Sequence, residues 1–176
     1  MTQVKSKKSF QRQRGFTLIE MMIAVVMILV GLVAVAQLVA VCRVQEYRSR
    51  DDSTSVVLAQ NELNQFAGQA LTTYSYTDNL GNVCTLGNSA TTGSFVGSPI
   101  TTSSDNRQVI DYSQATVNGY NFTWSDANDP TGALYDVRWA VYTFPGGAGK
   151  RFVIGARKTG ANRPFLPVNL DTLVAK

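Results

Sequence analysis

Sixteen consecutive residues, Met21 to Ala36, carry no polar side chain. Gln37 interrupts the run, and Leu38 to Cys42 resume it. The apolar stretch from Phe16 to Cys42 is 27 residues. At about 1.5 Å per residue it makes roughly 40 Å of helix, enough to cross a bilayer with some tilt. One charge interrupts its beginning, at Glu20, and no Lys or Arg lies between Phe16 and Cys42. A charged side chain in hydrocarbon costs roughly 2.5–3.5 kcal/mol or more and usually marks function. A carboxylate in that position seeks a cation, because an unpaired buried charge is far costlier than a paired one.

The residues before the run explain where that cation comes from. A leader with Lys5, Lys7, Lys8, Arg12 and Arg14, and no acid, ends in Gly15. Arg14-Gly15-Phe16-Thr17-Leu18-Ile19-Glu20 then leads into the apolar helix. This pattern closely resembles the class III signal of type IV pilins and of the related type II secretion pseudopilins, over about Arg14 to Leu38. The resemblance implies cleavage after Gly15 by a membrane-embedded prepilin peptidase, with Phe16 becoming the N-terminal residue and its amine being methylated. It also implies that Glu20, with Thr17 beside it, serves assembly, the carboxylate meeting the Phe16 amine of a neighbouring subunit. Many major pilins carry a proline inside this helix. Here Gln37 stands near its place, which resembles a minor pilin or a pseudopilin more than a major one.

Two other readings of the N-terminus are open. A plain membrane anchor would place Glu20 near the headgroups. A cleaved secretory signal finds its small-x-small rule in Ala34-Val35-Ala36, but leaves Glu20 and the Gly15-Phe16 junction without a purpose.

The formal charge of +4 is a property of the leader. Taking its five cations from 16 leaves 11 basic residues against 12 acidic ones. A nucleic-acid partner needs a basic face in the functional molecule, and none is expected. Five cations beside an apolar span stay on the cytoplasmic side, so the C-terminal portion is expected in the periplasm or outside the cell, the chain crossing the inner membrane once. The compartment permits disulfides. Cys42 and Cys84 are nevertheless expected to be unpaired, or paired between chains, because Cys42 lies about 42 Å down a helix that reaches about Ala70. The C-terminal disulfide loop of many pilins is absent from the sequence.

From Arg43 the chain turns amphipathic. Val56, Ala59, Leu63, Phe66, Ala67 and Ala70 recur at helical spacing, with Arg48, Asp52, Asn61, Glu62 and Gln69 largely elsewhere around the helix. Asp51-Asp52-Ser53-Thr54-Ser55 has poor helix propensity and marks a place for a kink. Tyr74 to Asn106 is rich in Thr, Ser, Gly and Asn and reads as a long connector. Strand alternation follows in Tyr120–Ser125, Tyr135–Val141 and Arg151–Arg157, with a weaker strand at Gln108–Tyr112. Asn118-Gly119, Asp129-Pro130-Thr131-Gly132 and Pro145-Gly146-Gly147 supply turns.

The expected fold is therefore α+β and type IV pilin-like. A long N-terminal helix, with a membrane half and an amphipathic half, packs on a small antiparallel sheet. The divisions are a cleaved leader over 1–15, a transmembrane and polymerisation half over 16–42, and an amphipathic half over 43–72. A head over 73–176 follows, with a loop at 73–106, a sheet at about 107–158 and an irregular tail at 159–176.

Chemistry beyond assembly is scarce. The chain has no histidine, which removes Ser-His-Asp and Cys-His catalysis and the commonest transition-metal ligand. Gly146-Gly147-Ala148-Gly149-Lys150 lacks the Ser or Thr of a phosphate loop and reads as a hairpin turn. No cofactor and no enzymatic activity are expected. Some pseudopilin heads bind calcium, and Asp126, Asn128 and Asp129 are the weak candidates here, although turns use the same residues for local hydrogen bonds. Phe122, Trp124, Tyr135 and Trp139 sit at strand spacing and read as core. Tyr74, Tyr76 and Phe95 have no such periodicity and read as exposed contact candidates.

Function then reduces to three classes: a pilus-like filament subunit, a secretion pseudopilin, or a membrane-tethered binding protein that never polymerises. Expected partners of the first two are like subunits, the prepilin peptidase, the inner-membrane assembly platform and, before assembly, the bilayer.

Overall fold

A computed structural model describes residues 15–125, 132–159 and 167–175. The chain divides into two units, Met1–Glu46 and Tyr47–Lys176. One helix, α1 (Leu18–Gly68), contributes to both. In the first unit every described residue is exposed, including Met21, Ile28, Leu32 and Leu38. Such a surface is stable only in lipid or against other helices. By length and composition the helix suffices to cross a membrane.

In the second unit α1 buries one face. Asp51, Ser55, Leu58, Ala59, Glu62 and Phe66 recur every three or four residues and are all buried. This face differs from the expected one. Val56, Ala67 and Ala70 are exposed, and the polar Asp51, Ser55 and Glu62 take inward positions. No break interrupts α1 at Asp51–Ser55, where the residue propensities allow one. The hydroxyls of Ser53, Thr54 and Ser55 donate back to the carbonyls of Ser49, Arg50 and Asp51 at 2.7–3.0 Å. That local bonding satisfies the side chains that otherwise compete with the helix.

The connector expected at 73–106 carries four short strands instead of being a plain loop. β1 (Ser75–Thr77) pairs with β2 (Val83–Thr85), and β3 (Phe95–Gly97) and β4 (Ile100–Thr102) follow. β4 pairs with β5 (Gln108–Ile110), the weak strand foreseen there. The principal sheet is built on β7 (Leu134–Thr143) and β8 (Gly149–Thr159), a ten-pair antiparallel hairpin. β3 and β6 (Asn121–Ser125) both pair with β7, and β8 continues to β9 (Val168–Ala175). Pro145-Gly146-Gly147 turns the hairpin, with Gly146 and Gly147 at positive φ. Over Val168–Ala175 a strand replaces the irregular tail expected for 159–176, of which 160–166 and 176 lie outside the described residues. Val168, Leu170, Thr172 and Val174 alternate with Asn169, Asp171, Leu173 and Ala175, and β8 supplies the ladder.

The sheet is covered on both faces. On one, Phe66 of α1 meets Trp139 and Phe152 with ring centroids 5.2 and 5.5 Å apart, and Phe122, Tyr135, Val137 and Ile154 complete the core. On the other, Ala140 and Val153 pack with Ile110, Phe95, Ile100 and Tyr112. Asp136 and Arg138, facing away from the helix, are buried there as an ion pair, and the Arg138 and Arg157 guanidinium groups lie over the Tyr112 ring at 4.9 and 4.3 Å. Gly97 lets β3 lie close. Its φ is 113°, and a Cβ there would stand 2.5 Å from the Tyr120 ring and 2.8 Å from the Trp139 carbonyl.

Candidate functional site

Gly15, Phe16 and Thr17 precede the first turn of α1 in irregular, exposed backbone. Nothing lies within 4 Å of where a Gly15 Cβ would stand. Thr17 caps the helix. Its Oγ1 accepts from the Glu20 amide at 3.3 Å, and its carbonyl accepts from Glu20 and Met21 at 3.1 and 3.2 Å. Thr17-Leu18-Ile19-Glu20 thus has the spacing of a capping box, which satisfies helical N–H groups that otherwise lack partners. Glu20 falls in the first turn, where the helix dipole favours a carboxylate. The elements therefore bring Thr17 and Glu20 together and leave Phe16, 80% exposed, next to the open Gly15 bond. Cutting that bond would set an ammonium about one helical turn from a carboxylate, just ahead of the apolar run Met21 to Ala36.

The leader through Arg14 and the calcium candidates Asp126, Asn128 and Asp129 lie outside the described residues. The aromatic contact candidates are packed rather than presented. Tyr76 sets its ring edge-on to Phe66 at 6.0 Å, and Phe95 stacks with Tyr142 at 5.3 Å. The Tyr74 ring holds the buried Lys150 ammonium at 4.3 Å, and that ammonium also donates to the Thr73 carbonyl at 2.7 Å. Phe122, Tyr135 and Trp139 are buried as foreseen, and Trp124 packs against them. Both cysteines are free. Cys42 is exposed and Cys84 fully buried, so exchange between chains is open to Cys42 alone.

The second unit holds polar chemistry that the residue pattern did not announce. Asp51 accepts from Lys158 Nζ at 2.9 and 3.0 Å and from the Tyr135 hydroxyl at 3.4 Å, tying α1 to β8 and β7. One helical face further along, Glu62 is 1% exposed and sits with Asp78 and Cys84, one ligand atom of each lying within 4.8 Å of the others. Burial, then the nearby Asp78 charge, push the Glu62 carboxyl up to about 7 against a weaker pull from the Gln65 amide. Burial and the same two carboxylates push the Cys84 thiol up to about 12, and the Tyr76 hydroxyl also rises through burial. The signal for Glu62 was its four-residue spacing from Leu58 and Phe66, masked by the polar Asp51 and Ser55 on the same face.

Residues 10–36 match the family model of the prokaryotic N-terminal methylation motif, the class III signal peptide of type IV prepilins. No curated protein and no solved structure matches the chain.

Proposed function

We propose that this chain, a membrane-anchored precursor bearing the class III signal of type IV prepilins, is cut after Gly15, methylated at the Phe16 amine and polymerised as a minor subunit of a type IV pilus-like filament. The observation that carries this reading is the Glu20 carboxylate in the first turn of a helix whose apolar surface is uncovered through the whole of its first unit. In the bilayer, lipid covers that surface. Outside it, only neighbouring helices do, and each fully buried Val, Leu, Ile or Met contributes about 1.5–3 kcal/mol. Glu20 then sets the register, since it enters a helical bundle without large cost only where another copy presents its Phe16 ammonium.

The five leader cations hold the N-terminus in the cytoplasm, which puts the head in the periplasm before extraction by the assembly platform. The role is structural rather than enzymatic. The test is Glu20→Gln. The variant is expected to insert and to be cleaved, yet to be missing from sheared filaments. Normal incorporation would contradict the pairing.

A type II secretion pseudopilin is the second reading. The proline-free helix with Gln37 inside it fits this reading as well as the first. The same cleavage and pairing operate there. Loss of secreted enzymes in a deletion strain, without loss of surface filaments, would select it. A tethered protein that never polymerises predicts an uncut Gly15-Phe16 bond.

A further inference from the structure

We propose that Glu62, Asp78 and Cys84 form a buried site for a divalent cation of the zinc class. Three separate pieces of backbone converge there. Glu62 comes from α1, Asp78 from the turn after β1, and Cys84 from β2, where it lies opposite Tyr76. All three are buried, at 1%, 6% and 0% exposure. Their ligand atoms already lie within 4.8 Å of one another. A tetrahedral zinc site with bonds of about 2.0–2.3 Å needs separations of about 3.5 Å. Binding draws any wider pair together.

The second observation is an acceptor with nothing to accept from. Glu62 Oε1 takes the Gln65 amide at 3.2 Å, but among the described residues the buried Oε2 has no hydrogen-bond partner, and neither does the buried Tyr76 hydroxyl. Among the described residues no ion pair reaches Glu62 or Asp78. Two carboxylates and a thiol thus share a desolvated space with no cationic side chain paired to them. A bound cation offsets that charge, and Oε2 is the atom left free to take it.

Asp78 is held in place by its own turn, and the Cys84 thiol donates to its Oδ2 at 3.9 Å. Its Oδ1 accepts from the Leu80 and Asn82 amides at 2.9 and 2.7 Å, and its Oδ2 from the Asn82 side-chain amide at 2.8 Å. Such outer hydrogen bonds orient a ligating carboxylate. The thiol decides between metals. Calcium and magnesium take oxygen ligands, whereas a Cys, Asp and Glu set suits zinc and similar borderline-soft ions. A fourth position is left for water or the Tyr76 hydroxyl. Of the three residues Glu62 alone, with Asn79 and Leu80, lines a neighbouring groove of about 400 Å³. Occupancy would lock the end of α1 to the β1–β2 ribbon.

The test uses the full chain in detergent, stripped with a chelator, in a Cys42→Ser background so that one thiol remains. Cobalt(II) is expected to produce a near-ultraviolet thiolate-to-cobalt band that zinc abolishes and that Cys84→Ala lacks. Zinc is expected to raise the Tm by several degrees, and Glu62→Gln, which keeps the shape of the site, to weaken zinc binding at least tenfold. The proposal is overturned if cobalt gives no such band. It is equally overturned if zinc shifts the Tm of the parent and of Glu62→Gln alike, which would mean adventitious surface binding.

Discussion

Lys158 Nζ lies 2.9 and 3.0 Å from the two carboxylate oxygens of Asp51, a residue 107 positions earlier in the chain. The pair joins α1 to β8 at a place where both side chains are mostly shielded, 12% and 19% exposed. Removing one partner of such a pair strands the other charge away from water. Asp51→Asn is expected to destabilise the second unit by about 2–3 kcal/mol. Chemical denaturation of the full chain in detergent measures this. A double-mutant cycle with Lys158→Met should return a coupling energy on the order of 1–2 kcal/mol, and additivity would contradict the bond.

Phe66 is the aromatic that fixes α1 to the sheet, touching Trp139, Phe152 and Tyr76. Phe66→Ala removes those contacts and leaves a cavity at 1% exposure. The expected cost is about 3–5 kcal/mol. Hydrogen exchange should show faster opening of Leu58–Phe66, while β7 and β8 lose less protection because their mutual ladder persists.

Glu62 makes the metal-free protein sensitive to pH. Its carboxyl rises from the usual range to about 7 in the folded chain. Folding therefore favours the protonated form. The associated stability is fully present below about pH 4.5 and is lost as pH climbs through about 7. Asp78, the Cys84 thiol and the Tyr76 hydroxyl surround the carboxyl, and the Gln65 amide donates to it. In a chelator, stability is expected to fall by on the order of 2 kcal/mol across that window, and Glu62→Gln to flatten that part of the profile. An unchanged profile in Glu62→Gln would place the titration elsewhere.

Much of the fold was legible because its longest elements repeat their period many times. Met21–Ala36 can only be a helix in an apolar surrounding, and Tyr135–Val141 alternates long enough to fix both faces of β7. The three-residue strands β1 to β5 are too short for any period to show, and pairing partners alone define them. β9 was hidden because its ladder comes from β8 rather than from a local turn. The inward face of α1 was misplaced by one position in the turn because Asp51 and Glu62 look like solvent residues. Asp51 is paired by Lys158, 107 positions away, and Glu62 is covered where β1 and β2 meet the helix, neither of which local spacing shows. The N-terminal motif needed no tertiary information, since Thr17 and Glu20 act within one turn of helix.

The N-terminus of the natively purified protein tests the central claim most directly. Intact-mass and N-terminal peptide spectrometry are expected to find a chain beginning at Phe16, with a methyl group on its amine and Glu20 as the fifth residue. Recovery of a chain still carrying Met1 and the five leader cations ahead of Gly15 would contradict the account.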